Sequence, residues 1–221
     1  MNVHLFSKIC TFGLLATITL SGCADVNSES VSKYQLPLEI GTSIKIWQDH
    51  LTHSLGQKRI DMAGIARQAP DPRPGLTPFK VVAARDGTVR FIVDSNSLNC
   101  CGGSCDNNYV WIQHTGEEWT KYSHLAKNSV TDSAFAGLSA GDTVKAGQYI
   151  GDESNVGRTC GTNNGRHVHF EVLVPSHQPS PVFDNPSTGN IVGENKIPRF
   201  CGVEDEFVKK RSFYTVSACP L

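Results

Sequence analysis

"GRHVHFEVLV", residues 165–174, is the stretch on which the reading of this chain turns. Side chains alternate faces along a strand, so His167, His169 and Glu171 share one face while Val168, Phe170, Val172 and Val174 share the other. The apolar face suits a core. The polar face sets two imidazoles on neighbouring same-face positions, about 7 Å apart, where both can serve one metal site and its bound water. Two surface histidines on a half-exposed strand would give the same pattern, so the rest of the chain must separate the two readings.

Working outward, "FKVVAARDGTVRFIV" (79–93) holds two β-rich runs around Asp86-Gly87, which predicts a hairpin there. "NNYVWIQHT" (107–115) and "EWTKYSHL" (118–125) predict a strand pair around Gly116. "AGDTVKAGQYIGD" (140–152) reads as short strands broken by glycine turns, and "SIKIWQDHLTHS" (43–54) as a strand and a short turn. "QAPDPRPGLTP" (68–78) is a Pro-rich loop. The glycine-rich "SNVGRTCGTNNG" (154–165) lacks the lysine and the following helix of a phosphate-binding loop. No run has the period of a long amphipathic helix and no solenoid repeat is present. The expected class is mostly β: a single antiparallel sheet or hybrid-barrel domain with disulfides and few helices. Trp111, Trp119 and Phe170 are expected in its core.

The 221 residues carry a net charge of −1, so bulk charge does not suggest nucleic-acid binding. At the N-terminus Lys8 precedes an apolar run from Ile9 to Leu20, too short to span a bilayer and ending at small residues, which reads as a signal peptide over 1–22. The ending "LSGC", Leu20–Cys23, resembles the lipobox of bacterial lipoproteins. That resemblance implies that Cys23 is the lipid-bearing first residue of the mature chain; an ordinary secretory signal with a chance cysteine is the alternative. Ala24, in place of the aspartate linked to inner-membrane retention, fits an outer-membrane destination facing the periplasm in a Gram-negative host. A polar, Ser-rich tether is expected over 23–45, the main domain over 46–175, and a Pro-rich, Cys-containing extension over 176–221.

Six cysteines remain beyond Cys10 and Cys23: Cys100, Cys101, Cys105, Cys160, Cys201 and Cys219. An even number in an exported chain suggests disulfides. Cys201–Cys219 is expected because both lie in one short terminal segment. Cys105 is expected to pair with Cys100 or Cys101, and Cys160 with the other. A thiolate zinc site is the alternative, disfavoured by an oxidising compartment.

Read in order, "HSLGQKRID", "VVAARDGTV", "YSHL", "GDTVKAGQYIG" and "GRHVHFEV" resemble the LytM/lysostaphin-type zinc endopeptidases over roughly residues 50 to 175. The last segment is close to that family's "GPHLHFE". The resemblance implies Zn²⁺ as cofactor, held by His53, Asp61 and His169. It also implies a catalytic pair, His124 and His167, and peptidoglycan peptides as substrate. The donor types agree with that chemistry. Three N and O ligands leave an open position for water; zinc lowers that water's pKa to about 7; a neutral imidazole accepts its proton and another stabilises an oxyanion. Which of His124 and His167 does which is open. His50 competes with His53 as first ligand, since the spacing to Asp61 is longer than the common His-x-x-x-Asp. The loop from Gly157 to His167 is one residue longer than the usual pattern, with Cys160 as the extra residue, and "GRH" replaces "GPH".

Other candidates have plainer readings. His114, at a turn, is structural or exposed, and His177 is in solvent. Glu171 orients a neighbour or meets solvent. Tyr122, on the face of His124, binds substrate or packs. Three functions follow: a zinc endopeptidase of the cell envelope cutting peptidoglycan peptides; a non-enzymatic LytM-type lipoprotein that activates an amidase; or a disulfide-rich binding module with fortuitous histidines. The bond cut and the oligomeric state are open.

Overall fold

The alternation in 165–174 becomes the central strand of the molecule. The computed structural model describes residues 28–65, 78–161 and 165–220. Its strands, in chain order, are β1 (Glu29–Tyr34), β2 (Ser43–Gln48), β3 (Ile60–Ile65), β4 (Lys80–Val82), β5 (Gly87–Val93), β6 (Tyr109–Gln113) and β7 (Trp119–Ser123). They continue as β8 (Thr143–Val144), β9 (Tyr149–Asp152), β10 (Val168–Pro175), β11 (Phe183–Asn185), β12 (Asn190–Ile191), β13 (Gly193–Phe200) and β14 (Phe213–Thr215). Two 3-10 turns, His53–Leu55 and Glu204–Glu206, accompany them, with no α-helix among the described residues. The signal segment, Cys23, and all of the Pro-rich loop but Pro78 lie outside the described residues.

The main sheet runs β14-β2-β3-β10-β7-β6-β5-β8, with β13 also on β10 and β1 on β13. Every pair is antiparallel except β1–β13. Period-two burial explains the order. Ile44 and Ile46, Ile60 and Met62, Val110 and Ile112, and Val168, Phe170 and Val172 all point into one core from adjacent strands. Each such side chain contributes roughly 1.5–3 kcal/mol when fully buried. On the opposite face Tyr109, Trp111, Trp119, Leu173 and Ile191 form a second cluster, which the β11–β12 ribbon covers through Phe183. The expected pairing of "NNYVWIQHT" with "EWTKYSHL" is the β6–β7 hairpin, turning at Gly116 with φ +97°.

Two expectations are corrected. The Asp86-Gly87 hairpin does not form: β4 pairs with β9, and β5 pairs with β6 and β8. The Asp86 carboxylate is taken by the Ala146 amide and Lys145 Nζ, each at 2.8 Å. That ties residue 86 to the turn before β9 rather than closing β4 onto β5. Gly87 is needed for a close approach to β6, since a Cβ there would lie 2.5 Å from the Gln113 carbonyl oxygen. The second correction concerns the tether over 23–45. Glu29–Tyr34 is a strand, and Tyr34, Leu36 and Leu38 are buried. Glu118 fastens this segment by accepting hydrogen bonds from the Val31 and Ser32 amides and the Tyr34 hydroxyl. Beyond residue 176 the chain returns to the same sheet through β13 and β14.

The structure pairs Cys100 with Cys105, Cys101 with Cys160 and Cys201 with Cys219. This is the expected set, with the choice between Cys100 and Cys101 resolved.

Candidate metal centre

Three adjacent strands bring the polar face of β10 into a cluster. His169 pairs with Asp61 of β3 on one side and with Ser123 of β7 on the other. His53 arrives from the 3-10 turn between β2 and β3. Asp49 builds that turn: its Oδ1 accepts from the Leu51 and Thr52 amides and the Thr52 hydroxyl, and its carbonyl accepts from the His53 amide at 2.9 Å. Asp49 Oδ2 accepts from the Lys210 amide at 2.8 Å, which ties the turn to the C-terminal segment. Burial works against the Asp49 charge, yet these hydrogen bonds hold its carboxyl below the usual range.

His53, Asp61 and His169 each offer one donor atom, all within 4.8 Å of one another. Asp61 Oδ1 is 3.4 Å from His53 Nε2 and 3.0 Å from His169 Nδ1. Ligands about 2.0–2.1 Å from a tetrahedral zinc stand roughly 3.3 Å apart; both distances from Asp61 suit that ion, and the two imidazoles lie within 4.8 Å of each other. His53 Nδ1 has no hydrogen-bond partner. Burial opposes the Asp61 charge, but hydrogen bonds from His169 and His53 and the imidazole of His167 hold its carboxyl well below the usual range. Burial keeps His169 neutral against the pull of Asp61. Deprotonated carboxylate and neutral imidazole are the forms a metal requires. His50 stands apart from this cluster, its ring 5.8 Å from that of Phe207.

His124 and His167 stand beside the triad, their ring centroids 4.5 Å apart. Each anchors Nδ1–H on a backbone carbonyl, His124 on Val156 at 2.7 Å and His167 on Gly165 at 2.6 Å. That choice of tautomer leaves Nε2 of each ring as its basic atom. His167 Nε2 is 3.6 Å from Asp61 Oδ1. Burial, with His167 and His169 nearby, keeps the His124 pKa well below the usual imidazole value. The structure departs from simple alternation here. Tyr122 points into the core, where its hydroxyl accepts from the Ala84 amide, rather than sharing a face with His124. β7 ends at Ser123, and His124 takes φ +64°, which turns its ring onto the cleft side.

Glu171 does not meet solvent; it is 1% exposed. Its Oε2 accepts from Arg59 Nε at 2.6 Å and Asn195 Nδ2 at 2.7 Å. Lys121 Nζ lies 3.1 Å from Oε1 as an ion pair and also donates to Asn190 Oδ1 at 2.8 Å. Burial opposes the Glu171 charge, and Lys121 and Arg59 overcome it, holding the carboxyl far below the usual range. Oε1 lies 4.0 Å from His169 Nε2, the nitrogen that must carry the proton once Nδ1 faces a metal. Sequence reasoning missed Lys121 and Arg59. The signal available was two cations and one acid falling on cross-strand neighbours around His169.

His53, Asp61, His124, His167 and His169, with Arg59 and Lys121, line a cleft of about 570 Å³, to which Thr188 and Asn190 of the C-terminal segment contribute a wall. That segment is held to β6 by hydrogen bonds from Trp111 Nε1 to the Gly189 carbonyl and from the Tyr109 hydroxyl to the Pro186 carbonyl. His114 lies elsewhere, buried, with Nδ1 2.8 Å from the Asp86 carbonyl and Nε2 2.8 Å from the Thr120 hydroxyl. His177 is exposed.

Residues 72–181 match Peptidase family M23; the match begins after His53 and Asp61 and takes in His124, His167 and His169. A curated relative, peptidoglycan DD-endopeptidase ShyC of Vibrio cholerae, is 33% identical over 115 residues. The aligned part is 52% of this chain and only 22% of that protein's length. Among solved structures, a zinc containing peptidase from Vibrio cholerae is 21% identical with a TM-score of 0.36, over 76% of this chain and 38% of that one. The M23 metalloprotease pseudoalterin from the deep sea is 19% identical with a TM-score of 0.43, over 85% of this chain and 96% of that one.

Proposed function

This chain belongs to peptidase family M23 through residues 72–181, and from that premise we propose that it is a zinc-dependent endopeptidase cutting peptide bonds of peptidoglycan in the cell envelope. The observation that carries the reading is the convergence of His53, Asp61 and His169 next to two further imidazoles whose Nδ1 atoms are both committed to backbone. His53, Asp61 and His169 would hold the zinc, which when bound supplies Lewis acidity and lowers the pKa of its water to about 7.

The chain's own residues do the rest. Asp61 brings a negative charge that burial alone would have neutralised. Of His124 and His167, one accepts the proton of the attacking water at Nε2 and the other, protonated there, donates to the oxygen of the carbonyl under attack. Their backbone-anchored Nδ1 atoms keep both Nε2 atoms directed at the cleft without a reorganisation step. The proton taken from water then passes to the leaving amine. Export and a lipid anchor on Cys23 belong to the same proposal, supported by the "LSGC" run and by three disulfides that an oxidising compartment would allow.

The test is to incubate purified zinc-loaded wild type and His124→Ala with peptidoglycan alone and identify products by mass spectrometry. Cleavage within the peptide by wild type only is expected. Release of nothing from several wall types, together with stimulation of an added amidase, would replace the peptidase by the activator reading.

A further inference from the structure

Charge around the cleft is one-sided. Its lining includes the cations Arg59, Lys121 and Arg158 and a single carboxylate, Asp61. Glu171, behind the wall, joins Arg59 and Lys121. Imidazoles left aside, three cations against Asp61 and Glu171 leave a formal charge of +1 before any divalent metal is added. A smaller recess of about 220 Å³ shares Asp61, Cys160 and His167 with the cleft and adds Arg166 and Lys210 without adding an acid. A concave surface with a net positive charge attracts anionic ligands.

Within this set Arg158 differs from its neighbours. Arg59 and Lys121 are committed to Glu171 and to the side-chain oxygens of Gln57 and Asn190. Arg158 is exposed, and its guanidinium has no hydrogen-bond or ion-pair partner among the described residues. Its backbone, in contrast, is held on both sides. The Gly157 amide donates to the Leu98 carbonyl at 2.8 Å, and the Cys100 amide donates to the Gly157 carbonyl at 3.1 Å. Asn99 Nδ2 donates to the Thr159 carbonyl at 3.1 Å, and the Thr159 hydroxyl donates to the Asn155 carbonyl at 3.0 Å. One residue further on, Cys160 is bonded to Cys101. The extra residue of this loop is therefore the one that staples it.

We infer that Arg158 is a specificity residue that binds a free carboxylate on the peptide substrate, in the cleft that holds His53, Asp61 and His169. A guanidinium presents a planar fork that matches a carboxylate with two parallel hydrogen bonds. On a stapled loop, and with no partner to displace among the described residues, it makes those bonds at the cost of ordering its own side chain but not its backbone. The substrate class is thus an acidic wall peptide rather than an uncharged bridge. This inference rests on the peptidase reading for its setting, but binding and cleavage are measured separately.

The test uses two synthetic cross-linked wall peptides, identical except that the side-branch carboxylates are free in one and carboxamides in the other. Dissociation constants are measured by calorimetry on the zinc-loaded full chain carrying His124→Ala, so that turnover does not intrude, with Arg158 intact, Arg158→Lys or Arg158→Gln. With Arg158 intact the acid should bind about ten- to a hundredfold tighter than the amide, the scale of one charge-assisted pair. The preference should shrink in Arg158→Lys, vanish in Arg158→Gln, and weaken with added salt. Equal affinity for acid and amide, no measurable binding of either, or a preference that survives Arg158→Gln overturns the assignment. Failure of wild type to cleave either peptide would count against the peptidase reading alone and leave the affinity comparison standing.

Discussion

His114, just past the end of β6, and His169, in β10, are both buried imidazoles, and their surroundings differ in kind. His114 has both ring nitrogens within hydrogen-bond reach of fixed partners, the Asp86 carbonyl and the Thr120 hydroxyl. Nothing is left for a ligand, and burial drives its pKa down to about 4. At His169 the arrangement differs. His53 Nε2, Asp61 Oδ1 and His169 Nδ1 face one another, and His124 and His167 each anchor one nitrogen and turn the other to the cleft. A structural histidine closes its hydrogen bonds within the fold. The cluster at His169 leaves donor atoms facing one another and a cleft, the arrangement the proposed metal site needs.

The sharpest way to break this contrast is at His124. His124→Ala should keep zinc and fold yet lose about 10²- to 10⁴-fold in hydrolysis rate, as expected for a positioned acid–base group. A variant that hydrolyses like wild type would make His124 as structural as His114.

Acid unfolding probes the other side. His114 is held neutral in the fold, so the unfolded chain takes up its proton near pH 6.5 while the native chain waits until about 4. Its contribution should be fully present above pH 6.5, fall as the pH drops toward 4, and be level below, for a total of roughly 3 kcal/mol. The check is the difference in urea unfolding free energy between wild type and His114→Gln across pH 4 to 7. Equal pH slopes in the two proteins would contradict it.

Glu171 joins the two regions, because it is buried like His114 yet its Oε1 lies 4.0 Å from His169 Nε2. Glu171→Gln should reduce zinc affinity about 10- to 100-fold, the usual cost of losing a carboxylate behind a ligating histidine. Chelator competition reads this without any substrate. The smallest effect belongs to His50, outside the cluster against Phe207. His50→Ala should leave zinc content unchanged and alter stability by no more than about 1 kcal/mol, whereas His53→Ala should empty the site.

Much of this contrast was legible in the sequence because alternation is local. The faces of β10, the β6–β7 hairpin, and the joining of His53, Asp61 and His169 each followed from residue order or from the family resemblance. Features set by distant partners were not legible. Asp86-Gly87 looks like a hairpin turn, but the amide of Ala146 and the ammonium of Lys145 claim the aspartate from sixty residues away. The Ser-rich segment before residue 45 looks like a tether until Glu118 and β13 give its backbone partners. Alternation put Tyr122 with His124, and a single left-handed residue reversed it. Lys121 carries no mark of function until register sets it opposite Glu171.

The most direct test of the central claim is an anomalous-scattering map at the zinc edge from crystals of the zinc-loaded protein. The account predicts one peak with ligands from His53, Asp61 and His169 at about 2.0–2.1 Å, and none from His50, His114, His124 or His167. A peak ligated by His124 or His167, or no ordered zinc between Asp61 and His169, would contradict it.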